Sequence, residues 1–245
     1  MKKKENSLFD NLKTLFLAII AAILIRSFLL EPFSIPSGSM YPNLKVGDYL
    51  FVSKSSYGFS KHSFPFSVPL IANRILYEQP QRGDIVVFKT PEDNKTDYIK
   101  RLIGMPGDRI KIQNNEIFIN DQKIFRERIG VETYKNLEVD KYKETLPNGK
   151  YYYVYEILEE LPYFDTDNFS ELTIPENEFF VIGDNRDNSQ DSRFIGTIPK
   201  NNLVGKAFIV LLSFDTEKGS WWKIWTWITA LRKDRFFFSL LPYEN

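Results

Sequence analysis

The first thirty residues contain the feature that most restricts the fold, a long apolar run near the N-terminus. The segment Leu12–Leu30 is apolar except for Lys13, Thr14, Arg26 and Ser27. As an α-helix, a segment of this length rises roughly 28 Å, about the thickness of the hydrocarbon core of a bilayer. The sequence therefore predicts one transmembrane anchor at 12–30, after a short polar N-terminus at 1–11.

The same run would also suit the apolar core of a cleavable signal peptide, which is the alternative interpretation. No A-x-A-like cleavage site follows the run, so an uncleaved anchor is favoured, with Arg26 extending to the far interface. Four lysines lie before the unbroken part of the run, namely Lys2, Lys3, Lys4 and Lys13. By the positive-inside rule, the N-terminus is predicted to be cytoplasmic and the rest of the chain to lie outside the cytoplasm.

The charged, cysteine and histidine contents exclude several classes of function. Lysine and arginine together number 32, as do aspartate and glutamate, so the chain lacks the basic excess that favours nucleic acid. The absence of cysteine excludes disulfides, thiolate metal ligands and cysteine nucleophiles. A Ser-His-Asp triad or a histidine-rich metal site would depend on His62 alone, which lies in a loop-like stretch. If the protein is an enzyme, its general base is expected to be a residue other than histidine.

After the anchor, short β-type runs alternate with turn residues. The runs are Asp48–Lys54, Asp84–Lys89, Tyr98–Ile103, Arg109–Gln113, Glu116–Ile119, Glu178–Ile182 and Leu203–Leu212. The pairs Asn114-Asn115 and Asn148-Gly149 indicate hairpins. These patterns predict a mainly β, antiparallel domain. We expect its main core at 31–124 and 174–220, an inserted Tyr- and Glu-rich β lobe at 125–173, and an aromatic amphipathic segment at 221–245.

Three polar turns adjoin these strands and are candidates for chemistry: Pro36–Pro42, Tyr98–Asp108 and Gly183–Arg193. Serine needs a base to become a nucleophile, and lysine serves when burial keeps its amine neutral. Ser39 and Lys100 are candidates for these two roles. The alternatives are that Ser39 only caps a turn and that Lys100 is a solvated strand lysine. The third turn could instead hold a cation through Asp184, Asp187 and Asp191.

Longer blocks of sequence surround these turns and carry a specific pattern. They are Arg26–Phe33, Ile35–Met40, Gly47-Asp48, Arg82–Phe88, Tyr98–Asp108, Gly183–Arg193 and Leu203–Gly205. In content and order they resemble the bacterial type I signal peptidase family, the membrane-bound leader peptidases. The resemblance covers the anchor and the main core but leaves out the lobe at 125–173.

The resemblance implies a Ser-Lys dyad, in which Ser39 attacks the scissile carbonyl and Lys100 acts as general base. The Ser37 hydroxyl and the Ser39 backbone N–H would form the oxyanion hole. The implied reaction is removal of N-terminal signal peptides from exported preproteins, after small residues at positions −1 and −3. No cofactor and no metal are implied.

The resemblance also implies supporting and substrate-binding residues. Ser189 would orient the Lys100 amine, and Gly183 would leave room beside it. Asp191 and Arg193 would form a supporting ion pair. Shallow apolar pockets for the substrate would be lined by Phe33, Ile35, Met40, Leu44, Tyr98 and Ile99.

The implied location is the bacterial inner membrane, with one span and a periplasmic or otherwise extracytoplasmic catalytic domain. The implied partners are secretory preproteins and the lipid bilayer, with no nucleic acid and no second copy of the chain. Some family members have two spans and a disulfide, whereas this chain has one predicted span and no cysteine. Those departures lie outside the matching motifs and leave the details of the lobe open.

Two other functions remain as alternatives. A self-cleaving repressor would also use a Ser-Lys dyad, but the anchor and the lack of a DNA-binding segment argue against it. A membrane-tethered β domain could instead bind peptides by strand addition without cleaving them. Peptide cleavage distinguishes this alternative from a peptidase, because a binding module would protect the peptide.

The C-terminal segment has its own pattern. Read as a helix, Trp221–Leu231 has a broad apolar face formed by Trp221, Ile224, Trp225, Trp227, Ile228 and Leu231. This face would either pack on the β core or contact the membrane. Tryptophan prefers the headgroup level, and Arg232, Lys233 and Arg235 follow as partners for anionic lipid. These features favour membrane contact.

Overall fold

The computed structural model describes residues 2–64, 67–69, 71–158, 166–219 and 223–244. Within these ranges the α-helices are α1 Lys2–Phe28, α2 Ser192–Ile195 and α3 Trp227–Ala230. The strands are β1 Leu30–Ser34, β2 Asp48–Ser53, β3 Ile85–Lys89, β4 Asp97–Gly104, β5 Arg109–Gln113, β6 Glu116–Ile119, β7 Gln122–Lys123, β8 Phe125–Tyr134, β9 Leu137–Thr145, β10 Lys150–Ile157, β11 Phe169–Thr173, β12 Glu178–Ile182, β13 Ile198–Pro199, β14 Leu203–Ser213, β15 Phe238–Ser239 and β16 Tyr243–Glu244. The predicted mainly β, antiparallel fold is confirmed.

The largest sheet has the strand order β1-β2-β14-β3-β4-β12-β13, with β15 paired to β14. It contains five of the seven predicted strand runs, and the other two form the hairpin β5-β6. Its strands are apolar because both faces are covered. One face contributes to a cluster around Leu50, Val87 and Val210, and the other to a cluster around Phe88 and Phe179. The sheet is therefore a rigid support for the turns at its edges.

Two four-stranded sheets complete the fold, with the orders β16-β10-β9-β8 and β11-β5-β6-β7. The pairings cross the predicted domain boundaries. Strand β11 falls within 125–173 but pairs with β5, and β16 from the C-terminal segment pairs with β10. A shared apolar core explains this arrangement, because Ile110 of β5, Val154 of β10 and Ile182 of β12 are buried in one cluster.

The N-terminal helix is long and apolar enough to cross a membrane between Leu8 and Phe28. It ends before the predicted limit of 12–30, because Leu30 already pairs with Ser53 as the first residue of β1. Phe28 packs edge-on against Phe59, with ring centroids 5.3 Å apart. The end of the helix is therefore in contact with the folded domain.

Charged groups at the same junction form additional contacts. The guanidinium of Arg26, the residue predicted to extend to the membrane interface, forms an ion pair with Glu31 at 2.6 Å. The other oxygen of Glu31 lies 2.8 Å from Nζ of Lys54, which is buried. Glu31 therefore joins the helix to β2 and the turn that follows it.

The continuous helix predicted over Trp221–Leu231 is wrong. Trp221 and Trp222 lie outside the described residues. The chain then forms a 3₁₀ turn at Ile224–Thr226 and one turn of α-helix, α3. The helix stops there because Leu231 forms a β-bridge with Phe214, which needs an extended backbone.

Candidate active site

A cleft of about 550 Å³ opens where the first polar turn meets β4 and the loop after β12. Its lining combines the three segments singled out in the sequence with residues from other parts of the chain. It consists of Pro36, Ser37, Ser39, Thr96, Asp97, Tyr98, Ile99, Lys100, Thr166, Asp187, Asn188, Ser189, Gln190 and Phe194. Tertiary folding thus gathers the candidate nucleophile and the candidate base into one concave site.

Ser39 and Lys100 are in direct contact although 61 positions separate them in the chain. Lys100 Nζ lies 2.5 Å from Ser39 Oγ, and both residues are buried. Lys100 is held by the middle of β4, where it pairs with Val86 of β3. Strand pairing on both sides fixes the backbone of Lys100, and burial restricts the movement of its side chain.

The environment of Lys100 favours its neutral form. Burial lowers the pKa of Lys100 to about 8, and Arg193 adds a smaller effect in the same direction. The carboxylates of Asp191 and Asp184 oppose this change without cancelling it. A substantial fraction of the amine is therefore neutral near pH 8 and able to accept a proton from the adjacent hydroxyl.

The turn that carries Ser39 is held by Asn185. The Asn185 side chain donates to the Gly38 carbonyl, and its backbone N–H donates to the Ser39 carbonyl, both at 3.0 Å. Ser37 reaches the cleft, with its Oγ 3.4 Å from Ser39 Oγ. Sequence reasoning missed Asn185, because an asparagine in a polar loop carries no signal of which distant carbonyl it will meet.

The supporting residues expected from the third turn are close together. Ser189 Oγ donates to Asp191 Oδ2 at 2.7 Å, and Arg193 Nε donates to Asp191 Oδ1 at 2.9 Å. A Cβ on Gly183 would overlap Ser189 Oγ, so only glycine leaves space for that hydroxyl. The Ser189 hydroxyl was expected to bond to the Lys100 amine. In the described part of the chain it donates to Asp191 instead.

The expected substrate-binding residues divide into two groups. Tyr98 and Ile99 line the cleft. Ile35, Met40 and Leu44 are buried in the core beneath it, with Phe33 packed against the same cluster, and these four do not reach the cleft. Ile35, Met40 and Leu44 have almost no exposed surface and contact other core residues, whereas Phe33 is only partly buried.

The three aspartates considered as cation ligands each have a separate set of protein partners. Asp184 binds Arg101, Asp191 binds Arg193, and Asp187 accepts from the Thr166 hydroxyl at 2.6 Å. Among the described residues no group of acidic or histidine side chains is arranged to hold a metal ion. Their charges instead stabilise the loop that forms one wall of the cleft.

Comparison with known proteins gives consistent matches. The family model described as "Signal peptidase, peptidase S26" matches residues 8–212. Signal peptidase I of Rickettsia typhi is 39% identical, covering 93% of this chain and 92% of that protein. Signal peptidase I of Rickettsia felis is 40% identical, covering 93% and 91%. A crystal structure of a signal peptidase I from Enterococcus faecalis V583 is 28% identical, covering 53% of this chain and 97% of that one, with a TM-score of 0.34, too low to bear on the fold.

Proposed function

The chain belongs to the signal peptidase family, peptidase S26, and we propose that it is a membrane-bound serine endopeptidase in which Ser39 is the nucleophile and Lys100 the general base. Its substrates are secretory preproteins. It cleaves their N-terminal signal peptides after small residues at positions −1 and −3. Tyr98 and Ile99 line the same cleft as Ser39, and this apolar wall supports binding of apolar side chains of the substrate beside the nucleophile.

The reaction begins when Ser39 Oγ attacks the scissile carbonyl carbon and its proton moves to Lys100 Nζ. The Ser37 hydroxyl and the Ser39 N–H donate to the oxyanion that forms. Lys100 then gives the proton to the departing amine of the mature protein. The signal peptide remains attached to Ser39 as an acyl ester. Lys100 next takes a proton from a water molecule that attacks this ester. It returns that proton to Ser39 Oγ as the ester C–O bond breaks, and the signal peptide is released with a free C-terminal carboxyl group.

One observation carries this proposal: the 2.5 Å separation of Ser39 Oγ from the amine of a buried lysine whose pKa is lowered to about 8. A surface lysine with an ordinary pKa would be protonated at neutral pH and unable to act as a base. The single histidine does not offer an alternative base, because His62 lies in a 3₁₀ turn and is not among the residues described as lining the cleft.

We further propose the location and orientation implied by the family. Helix α1 anchors the enzyme in the bacterial inner membrane with its N-terminus in the cytoplasm, so the catalytic domain faces the periplasm or the cell exterior. The C-terminal segment adds a second contact with the bilayer. Support for this contact comes from Trp225 and Ile228, which are 73% and 85% exposed, and from the nearby cation Lys233, which is also exposed.

The test is cleavage of a preprotein with an A-x-A site by the full-length wild type and by Ser39→Ala, both reconstituted in vesicles. Loss of cleavage with an unchanged thermal transition supports the proposal. Ser34→Ala, a change to an exposed serine of β1, is the matched control. A domain that only binds peptides would protect the preprotein in both forms, and activity of Ser39→Ala within tenfold of wild type would reject Ser39 as nucleophile.

A further inference from the structure

The lobe outside the family motifs places a buried tyrosine directly against the turn that carries Ser39. Tyr134 is the last residue of β8 and is only 5% exposed. A Cβ built on Gly38 would overlap Tyr134 Oη and lie 3.0 Å from Tyr134 Cζ. The φ angle of Gly38 is outside the left-handed region, so the backbone conformation alone does not require glycine there. Glycine is required because any larger residue would overlap the side chain of Tyr134.

Tyr134 also contacts the turn on the other side of Ser39. Its ring lies 4.8 Å, centroid to centroid, from the ring of Tyr41, two residues after the serine. Its hydroxyl accepts a hydrogen bond at 3.1 Å from the side chain of Asn188, which lines the cleft. The tyrosine therefore touches the residue before Ser39, the residue two positions after it and the opposite wall of the cleft.

The element that holds Tyr134 is rigid. Tyr134 and Leu137 are paired across a two-residue turn formed by Lys135 and Asn136, both with positive φ, as expected for a tight hairpin. Tyr155 of β10 also packs against the Tyr134 ring, with the two ring centroids 6.4 Å apart. A side chain fixed in this way resists movement of the turn it contacts.

We propose that Tyr134 is a positioning residue for the serine nucleophile, and that the lobe thereby sets the geometry of the dyad. Tyr134 is not among the residues that line the cleft, so it acts through Gly38 and Tyr41 rather than on substrate. The inference depends on the proposed role of Ser39. Catalysis is sensitive to this contact because a shift of about 1 Å in a reacting group can cost roughly 100-fold in rate.

Three variants of the full-length enzyme test the inference, measured by steady-state cleavage of an A-x-A preprotein. Tyr134→Leu should lower kcat by about 10- to 100-fold, with KM within about threefold of wild type and the acidic limb of the pH profile unmoved. Tyr134→Phe keeps the ring contact with Tyr41 but removes the hydroxyl that meets Gly38 and Asn188, so its kcat should fall between those of Tyr134→Leu and wild type. Val154→Ala creates a cavity in β10, a strand of the same sheet as β8. It controls for general weakening of the lobe and should leave kcat near wild type.

The decisive experiment combines two substitutions. Gly38→Ala should lose at least about 100-fold in kcat, because its methyl group overlaps Tyr134. In Gly38→Ala with Tyr134→Leu the overlapping atoms are gone, so this double variant should turn over no more slowly than Tyr134→Leu alone. Even if Gly38→Ala fails to fold, comparing kcat of the double variant with kcat of Tyr134→Leu tests the positioning role of Tyr134.

Two results would overturn the inference: wild-type kcat in Tyr134→Leu, or losses that simply multiply in the double variant. Failure of the proposed function has a different signature, which is activity retained by Ser39→Ala whatever residue occupies position 134.

Discussion

Arg101 and Asp184 form a two-bonded ion pair inside the protein, in which Arg101 Nε and Nη2 each donate at 2.7 Å to one oxygen of the Asp184 carboxylate. Arg101 follows Lys100 directly in β4, so its side chain emerges from the opposite face of the sheet. Its guanidinium also lies over the ring of Tyr152 in β10, 4.3 Å from the centroid. The pair thus joins the strand of the base, the loop that forms the cleft wall and the lobe.

Asp184→Asn should destabilise the protein by about 3–5 kcal/mol, because removal of one partner leaves a buried guanidinium without its counter-charge. Chemical denaturation measured by circular dichroism gives the value. Glu116→Gln breaks the exposed pair with Lys123 and should change stability by less than about 1 kcal/mol. Equal losses of stability in the two variants would show that the buried pair contributes no more to stability than the exposed pair does.

Lys100→Arg should be as inactive as Lys100→Ala, with kcat lowered by about 10²–10⁴, because a guanidinium keeps its proton and cannot act as a base. Cleavage of a preprotein at several enzyme concentrations measures the loss. Lys111→Arg, on strand β5 and away from the cleft, is the control and should be fully active. Turnover by Lys100→Arg would mean that Lys100 acts only through its charge.

The pH dependence of kcat/KM should rise about tenfold per unit up to an apparent pKa near 8 and then level off, because only the neutral amine of Lys100 can accept a proton. Burial lowers the pKa of His62 to about 4, so His62 stays neutral across this range. The rising, acidic part of the pH profile should therefore keep its apparent pKa in His62→Ala. A displaced limb in that variant would point to a histidine mechanism.

Ser37→Ala should lower kcat by about 10²–10³ with little change in KM, as expected for loss of one donor to an oxyanion. The Ser37 hydroxyl is exposed to the cleft and 3.4 Å from Ser39 Oγ, so its removal should leave the fold intact. Steady-state kinetics beside a thermal melt separates the two effects. An unchanged kcat would remove Ser37 from the oxyanion hole.

Membrane contact by the C-terminal segment can be measured without a label, because all four tryptophans of the chain lie between Trp221 and Trp227. In vesicles of anionic lipid, brominated acyl chains should quench the tryptophan emission of the reconstituted enzyme. Ile228→Ser and Lys233→Gln should weaken this quenching. Emission unaffected by the brominated lipid would show that the segment does not contact the bilayer.

Local pattern was sufficient for the long apolar N-terminal helix and for the seven strand runs, because both depend on patterns within one short segment. Local pattern failed for Trp221–Leu231. The spacing of its apolar residues is typical of a helix when only this segment is considered. The β-bridge between Leu231 and Phe214 ends the helix there, and no residue within 221–231 signals that pairing. The same reason explains why β11 was assigned to the lobe although it pairs with β5.

The sequence by itself determined the class of protein, the candidate nucleophile and the candidate base, because the family motifs and the scarcity of histidine restrict the chemistry to serine and lysine. Only the tertiary structure decided that Lys100 is buried beside Ser39, that Met40 and Leu44 belong to the core, and that Tyr134 presses on Gly38. Each of these arrangements joins distant segments of the chain, such as Gly38 and Tyr134, which are 96 positions apart. Burial, and with it a lowered lysine pKa, is a property of the packed whole and is not carried by any one segment.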